Sequence, residues 1–349
     1  MTTMSERMIG FARRHRQLLV LVVPLAVFGA VTEVVGGTLL GRIAIAFFIN
    51  LILVLSLQVF TGNSGLLSFA HVGFMGIGAY ISAVLSMTPE AKAFAIPDLY
   101  PALVPITLPF IPAITIGALV ASIVAAIVTF PMMRLREAAS VISTFALLVI
   151  IQVILAHWHE LTNGPRSLFG LQPYTDLPTA AVAAIVTVVV AWAFKHSSIG
   201  LRLRASQDSE PAALTIGINV VRLRWIAFIV SAFIAGFAGG LWAHFVTTFS
   251  PRAFYLIETF IVVTMLIVGG PRTVSGAVIG TVIVTAAFQG LRTIENQINL
   301  EGLLPFQVVG VTEILLAVVL IGVLTFRPGG LVEQREVLAG PAGPQDPKL

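Results

Sequence analysis

The chain has 349 residues, 57% of them hydrophobic and only 10% charged, with a mean hydropathy of +0.99; against roughly 25% charged residues in ordinary soluble domains, this excludes a water-soluble fold. The net charge of +4 would suggest nucleic acid in a soluble protein, but here it has to be read by side of the membrane. Cysteine is absent, which removes disulfides, thiolate metal sites and cysteine nucleophiles.

Apolar runs of about 17–25 residues predict an all-α integral membrane protein, a polytopic helical bundle of about ten transmembrane helices with interrupted segments. The spans fall near 18–35, 43–60, 70–87, 110–131, 139–157, 178–194, 225–248, 257–270, 274–291 and 305–326. Residues 1–17 form a basic head and 327–349 a tail whose Pro- and Gly-rich end reads as disordered. The head could pass for a signal peptide, but an uncleaved first span fits the charge count better. With the head inside, fifteen of the twenty Lys and Arg residues fall in inner segments, so the positive-inside rule places both termini in the cytoplasm.

The second span ends in "GNSGLLSFAHVGFMGIGAY" (Gly62 to Tyr80). Gly62, Asn63, Ser64 and Gly65 read as an irregular turn; from Ala70 onward, Gly73, Gly76, Ala79 and Ala83 share one face of a helix. Small residues on a face let helices approach closely. That leaves Asn63, Ser64, Ser68 and His71 unexplained, because unpaired polar groups at depth cost several kcal/mol. Internal hydrogen bonding is one answer. Lining of a pathway by Asn63, Ser64, Gly65, Ser68, His71 and Gly76 is the other.

Between the third and fourth spans, Pro97, Pro101, Pro105 and Pro109 stand four apart and deny the backbone a regular helix, which predicts an extended or re-entrant outer cover. In "HWHE", His157 and His159 point to different faces, so an interfacial Trp158 explains the cluster better than a metal does. No metal site is expected.

The inner loop from Lys195 to Arg224 is the most charged connection. Asp208 or Ser209 can cap a short helix, Glu210 and Pro211 suit its first turn, and Gly217 supplies a left-handed exit. So short a helix is marginal alone in water. It must dock, either on its own bundle or in a partner's groove.

Further on, Ala232, Gly236 and Gly240 recur every four residues, as do Ala235, Gly239 and Ala243, while Gly276 and Gly280 form a GxxxG pair. These predict close packing. Glu313 near a span centre and Glu258 toward an outer end are candidate pathway groups, since ionisable residues within spans are costly. No Asp lies within any expected span, which weakens a proton relay. The chain has no GxxxxGK[ST] loop, no HExxH and no GxSxG, which excludes its own P-loop ATPase site and makes a membrane hydrolase unexpected.

Four motifs, "GNSGLLSFAHVGFMGIGAYISAVL", the loop "GLRLRASQDSEPAALTIGINVVRLR", "SPRAFYLIETFIVVTMLIVGGPRTVSGAVIG" and "TFRPGGLVE", together resemble the branched-chain amino acid ABC transporter permeases of the LivM type, in order, over about Leu51 to Leu331. The resemblance implies an import permease of a bacterial-type inner membrane, with no enzymatic activity or cofactor of its own. It would pair with a second permease, two cytoplasmic ATP-binding subunits and an extracytoplasmic substrate-binding protein, in lipid and without nucleic acid. The likeness also makes the inner loop the ATPase contact, through Arg202, Arg204, Ser209, Glu210, Ala213 and Gly217. Branched-chain or other hydrophobic amino acids are the expected solutes, with urea or amides as alternatives in the same machine. An ion-coupled secondary transporter, whose interruptions would mark inverted repeats, is the rival from another class.

Overall fold

The computed structural model describes residues 4–135, 137–301, 310–326 and 329–332. They form helices α1 (Met4–Val35), α2 (Thr38–Ser64), α3 (His71–Ser86), α4 (Pro89–Ala95), α5 (Phe110–Thr129), α6 (Glu137–His157), α7 (His159–Thr162), α8 (Leu177–His196), α9 (Ser198–Asp208), α10 (Glu210–Thr215), α11 (Val220–Val246), α12 (Leu256–Gly269), α13 (Val274–Glu301) and α14 (Val311–Phe326). Among the described residues, eight helices are long and apolar enough to cross a membrane. The chain is an all-α polytopic membrane protein. α3 and α14 occupy the third and tenth expected spans with 16 residues each, the tenth beginning at Val311 after a bend at Gly310 with φ 87°; 302–309 lie outside the described residues. The tail beyond Val332, expected to be disordered, lies outside them too.

α2 is the most deeply buried of the long helices and forms the axis of the bundle. α11 and α8 pack along it, α3 and α5 close against α11, α1 covers α8, and the α12–α13 hairpin leans on α2 with α14 behind α12. Lipid is as apolar as leucine, so this order follows from how closely backbones fit.

Backbones meet directly between α3 and α11. A Cβ built on Gly78 would stand 2.1 Å from the carbonyl oxygen of Gly236, and one on Gly239 would stand 1.9 Å from that of Met75. The α12–α13 hairpin repeats the device, with Gly269 against the Gly276 carbonyl at 1.9 Å and Gly280 against that of Met265 at 2.0 Å. Of the small residues expected on α11 and α13, Gly239, Gly276 and Gly280 thus meet backbone, while Gly236 and Gly240 face Ala121 and Ile114 of α5. On α3 the expected face is displaced: Gly73 and Gly76 receive side chains of Ile151, Leu155 and Phe254, while Gly78 makes the backbone contact.

A second difference concerns the end of α2. Gly62, Asn63 and Ser64 are helical, and the break comes at Gly65, whose φ of 75° closes the helix with its N–H on the Thr61 carbonyl. The expected irregular turn at Gly62 to Gly65 is corrected to a non-helical link from Gly65 to Ala70. One left-handed glycine suffices to end a helix.

Replacing Gly239 with Ala should destabilise the bundle by about 1–3 kcal/mol, because the carbonyl it would strike is backbone and cannot rotate away. Gly290→Ala, where a new Cβ meets nothing within 4 Å, should leave the melting temperature in detergent unchanged or raise it. Equal melting temperatures for the two variants would remove the seam as the reason for the fit.

Candidate functional site

The link between α2 and α3 lies within the bundle. α3 is about 24 Å long at 1.5 Å per residue, shorter than a hydrocarbon core of about 30 Å. Its first residue bonds to Ser231, eleven positions into α11. Backbone broken at this depth must find internal partners. It does so through hydroxyls: Leu66 N–H donates to Ser64 Oγ at 3.2 Å, Phe69 N–H to Thr144 Oγ1 at 3.3 Å, and Ala70 N–H to Ser68 Oγ at 3.4 Å.

His71 completes this network. Ser231 gives its proton to the Phe228 carbonyl at 2.8 Å, so His71 Nε2–H donates to Ser231 Oγ at 2.9 Å. Nδ1 is then the acceptor for Ser68 Oγ–H at 3.1 Å. The ring is 2% exposed and lies between Phe60 and Phe228. Asn63 donates to the Val59 carbonyl at 2.9 Å, and its Oδ1 has no partner. The polar residues of the motif therefore serve the broken backbone first.

The structure does not gather the residues expected to line a pathway into one site. Asn63, Ser64, Ser68 and His71 are buried, Gly76 is a packing contact, and Gly65 is exposed at the end of α2. Glu258 stands half-buried in the first turn of α12, two residues before Phe260, whose ring lies 6.1 Å from that of Phe69. Glu313 lies on α14, and its side chain falls outside the described residues.

A second assembly surrounds the connection between α8 and α11. α9, which an apolar-run reading passes over because Arg202, Arg204 and Asp208 interrupt it, is capped by Ser197. α10 is capped by Ser209, whose Oγ accepts from Ala212 N–H at 3.3 Å. It ends in a double turn, with Ile218 N–H on the Ala213 carbonyl at 3.0 Å and Gly217 at φ 79°. This is the short capped helix expected from Asp208 to Gly217.

One face of α10 is docked on its own bundle. Glu210 pairs with Arg224 at 3.1 Å, their side chains 22% and 6% exposed, and Ala213 is buried. Arg204 donates to the Lys195 carbonyl at 3.0 Å, while Arg202 is exposed. The rest of the helix is bare: Leu214 is 52% exposed, and Ile216, just past its end, 75%. Behind the helix lies a polar cleft of about 530 Å³, lined by Ser64, Gly65, Gln207, Glu210, Arg224 and Arg272 among others. Gln207, which no motif singles out, donates to the Gly62 carbonyl at 3.1 Å and ties the loop to the end of α2.

At the opposite end, Ser86 of α3 donates to His244 Nε2 at 2.8 Å, the Nδ1–H of that ring being held by the Gly240 carbonyl. Segment 96–109 is non-helical, as its prolines require. Its carbonyls cage one cation: Lys92 Nζ donates to Leu103 O at 2.9 Å, to Val104 O at 3.5 Å and to Ile106 O. Three acceptors match the three protons of an ammonium. Burial acts the other way and holds the Lys92 pKa below the ordinary lysine value.

Comparison with known proteins gives these features a context. The family described as branched-chain amino acid transport system / permease component matches residues 39–324. The high-affinity branched-chain amino acid transport system permease protein LivM of Salmonella typhimurium is 25% identical over 284 residues, 72% of this chain and 63% of that protein. The nucleoside ABC transporter permease protein NupC of Lactococcus lactis is 27% identical over 208 residues, 53% of this chain and 61% of its own. The ribose import permease protein RbsC of Bacillus subtilis is 27% identical over 172 residues, 48% of this chain and 50% of its own. The match thus spans less than two thirds of the length of LivM. No solved structure matches the chain.

Lys92→Met should free segment 96–109, lower stability by roughly 1–3 kcal/mol through the carbonyls left unpaired, and speed limited proteolysis there. Because the folded-state pKa is lowered, the unfolded chain binds the proton more tightly. Stability from this group is therefore least below the folded pKa and rises with pH up to ~10.4, the unfolded value. The melting temperature of wild type relative to Lys92→Met should climb over that alkaline window; a fall would reverse the assignment.

Proposed function

The chain belongs to the branched-chain amino acid transport permease family, and from that premise we propose that it forms half of the pathway of an ATP-driven amino-acid importer. The observation that carries this reading is α10 itself, anchored through Glu210 and Arg224 while Leu214 and the following Ile216 stand bare. A six-residue helix has too little area to hold itself in water. Anchored at its start and carrying exposed apolar side chains toward its end, it suits insertion into a groove of a soluble partner. That partner is a cytoplasmic ATP-binding subunit, one of two, since the chain has no phosphate loop.

In this reading both termini are cytoplasmic, a second permease supplies the other half of the path, and an extracytoplasmic binding protein delivers the solute. ATP closes the motor subunits, and α10 passes their displacement into α11, opening the path alternately to each side. The solute is a branched-chain or other hydrophobic amino acid. The LivM likeness supports that class, and a largely apolar wall with few fixed charges suits a zwitterion with an apolar side chain.

Two variants separate docking from transmission. Leu214→Asp should release the ATP-binding subunit on detergent purification. Glu210→Gln should keep it bound but lower ATP-driven leucine uptake in proteoliposomes at least tenfold, because Arg224 loses its charged partner. Full retention and full uptake in both variants would sink the assignment of α10. Uptake by wild type driven by an ion gradient without any ATP-binding subunit would sink the importer reading itself.

A further inference from the structure

The buried hydroxyls and imidazole of the α2–α3 link face inward, but one residue of the same link faces the other way. Phe69 is partly exposed and lies between two helices, its ring 6.0 Å from Phe145 of α6 and 6.1 Å from Phe260 of α12, at interplanar angles of 82° and 70°. Both contacts are edge-to-face, the arrangement that aromatic quadrupoles favour. Phe145 and Phe260 remain 37% and 47% exposed. Resting on the permease reading above, we infer that Phe69, Phe145 and Phe260 line the translocation path and form an aromatic constriction that contacts the apolar side chain of the solute.

Three observations set this face apart from a lipid-facing one. The backbone behind it is broken at membrane depth, a feature tolerated where protein buries it or water reaches it. Thr144, next to Phe145, spends its hydroxyl on the Phe69 N–H, so the ring is fixed to the break itself. Gln152 follows seven residues after Phe145 on the same side of α6; the residue is half-buried, and its buried amide oxygen has no partner among the described residues. A costly amide beside exposed aromatics is out of place against hydrocarbon. It suits a wall that a zwitterion passes.

The chain contains no cysteine, so single cysteines can be read without background. Phe145→Cys, Phe260→Cys and the nearly isosteric Val149→Cys, at a half-buried position one helical turn after Phe145 on α6, are placed in membranes carrying the full set of subunits. They are treated with a positively charged methanethiosulfonate, which reacts with thiolate in water and hardly at all in lipid. Val182→Cys, on the 61% exposed outer face of α8, is the lipid control. Labelling at least tenfold faster at 145 and 260 than at 182, with a rate that changes when ATP hydrolysis is arrested, is the expected result. If the aromatic variants fail to assemble, Val149→Cys carries the comparison. Rates no faster than at Val182→Cys would put this face against lipid and overturn the constriction, while ATP-driven uptake by wild type would leave the permease reading standing.

Discussion

The contact on which the rest of the bundle depends is the glycine seam between α3 and α11. With Gly78 on the Gly236 carbonyl and Gly239 under the Met75 carbonyl, the two helices touch backbone to backbone. Such Cα–H···O contacts contribute about 0.5–1 kcal/mol each. His71 to Ser231 and Ser86 to His244 bolt the seam near its two ends. Interhelical hydrogen bonds in membranes average about 0.6 kcal/mol and reach about 1.7, so the bolts fix register more than they supply stability. Each bolt places one histidine and one serine on opposite helices, and in each the spare ring nitrogen is held locally, by Ser68 in one and the Gly240 carbonyl in the other.

A second glycine seam governs the α10 end. Gly269 and Gly280 bring α12 and α13 together, and the following turn carries Gly270 at φ 114°. Gly330 packs directly on Gly270, while Leu331 and Val332 donate their N–H groups to the Val268 and Gly269 carbonyls at 2.9 Å. The exit motif around "PGGL" therefore caps the otherwise unpaired end of α12. Pro271 of the same turn reaches α2: a Cβ on Gly62 would stand 2.2 Å from its carbonyl oxygen. Glycine at 62 is required by that approach, although the helix there is regular.

Much of this was legible in the residues. Long apolar runs located the spans, because lipid allows few alternatives to a helix, and cap chemistry located α10 through Ser209, Glu210, Pro211 and Gly217. What misled was the assumption that glycines mark breaks: Gly62 continues a helix and Gly65 ends one, and the difference lies in tertiary neighbours that a single sequence does not display. α9 escaped because apolar periodicity is diluted by its arginines, and Gln207 because a lone glutamine carries no pattern. Phe69 was hidden in plain view. A phenylalanine beside an apolar span carries no pattern that separates a core, a lipid-facing and a path-lining position.

These contacts form a continuous line across the molecule. Glu210 of α10 holds Arg224 of α11, seven residues later Ser231 holds His71, and His71 holds Ser68, the neighbour of Phe69. The three non-covalent contacts join buried or half-buried groups, the chain of α11 carries the step between Arg224 and Ser231, and the seam keeps α3 from sliding on α11. In the proposed importer a rigid displacement of α10 would reach the α2–α3 link along this line without passing through a flexible loop. The link is also the weakest backbone on that line, being held by three hydroxyls instead of a helical ladder. In that reading, motion entering at α10 would be expressed where the polypeptide is least regular, beside the aromatic cluster.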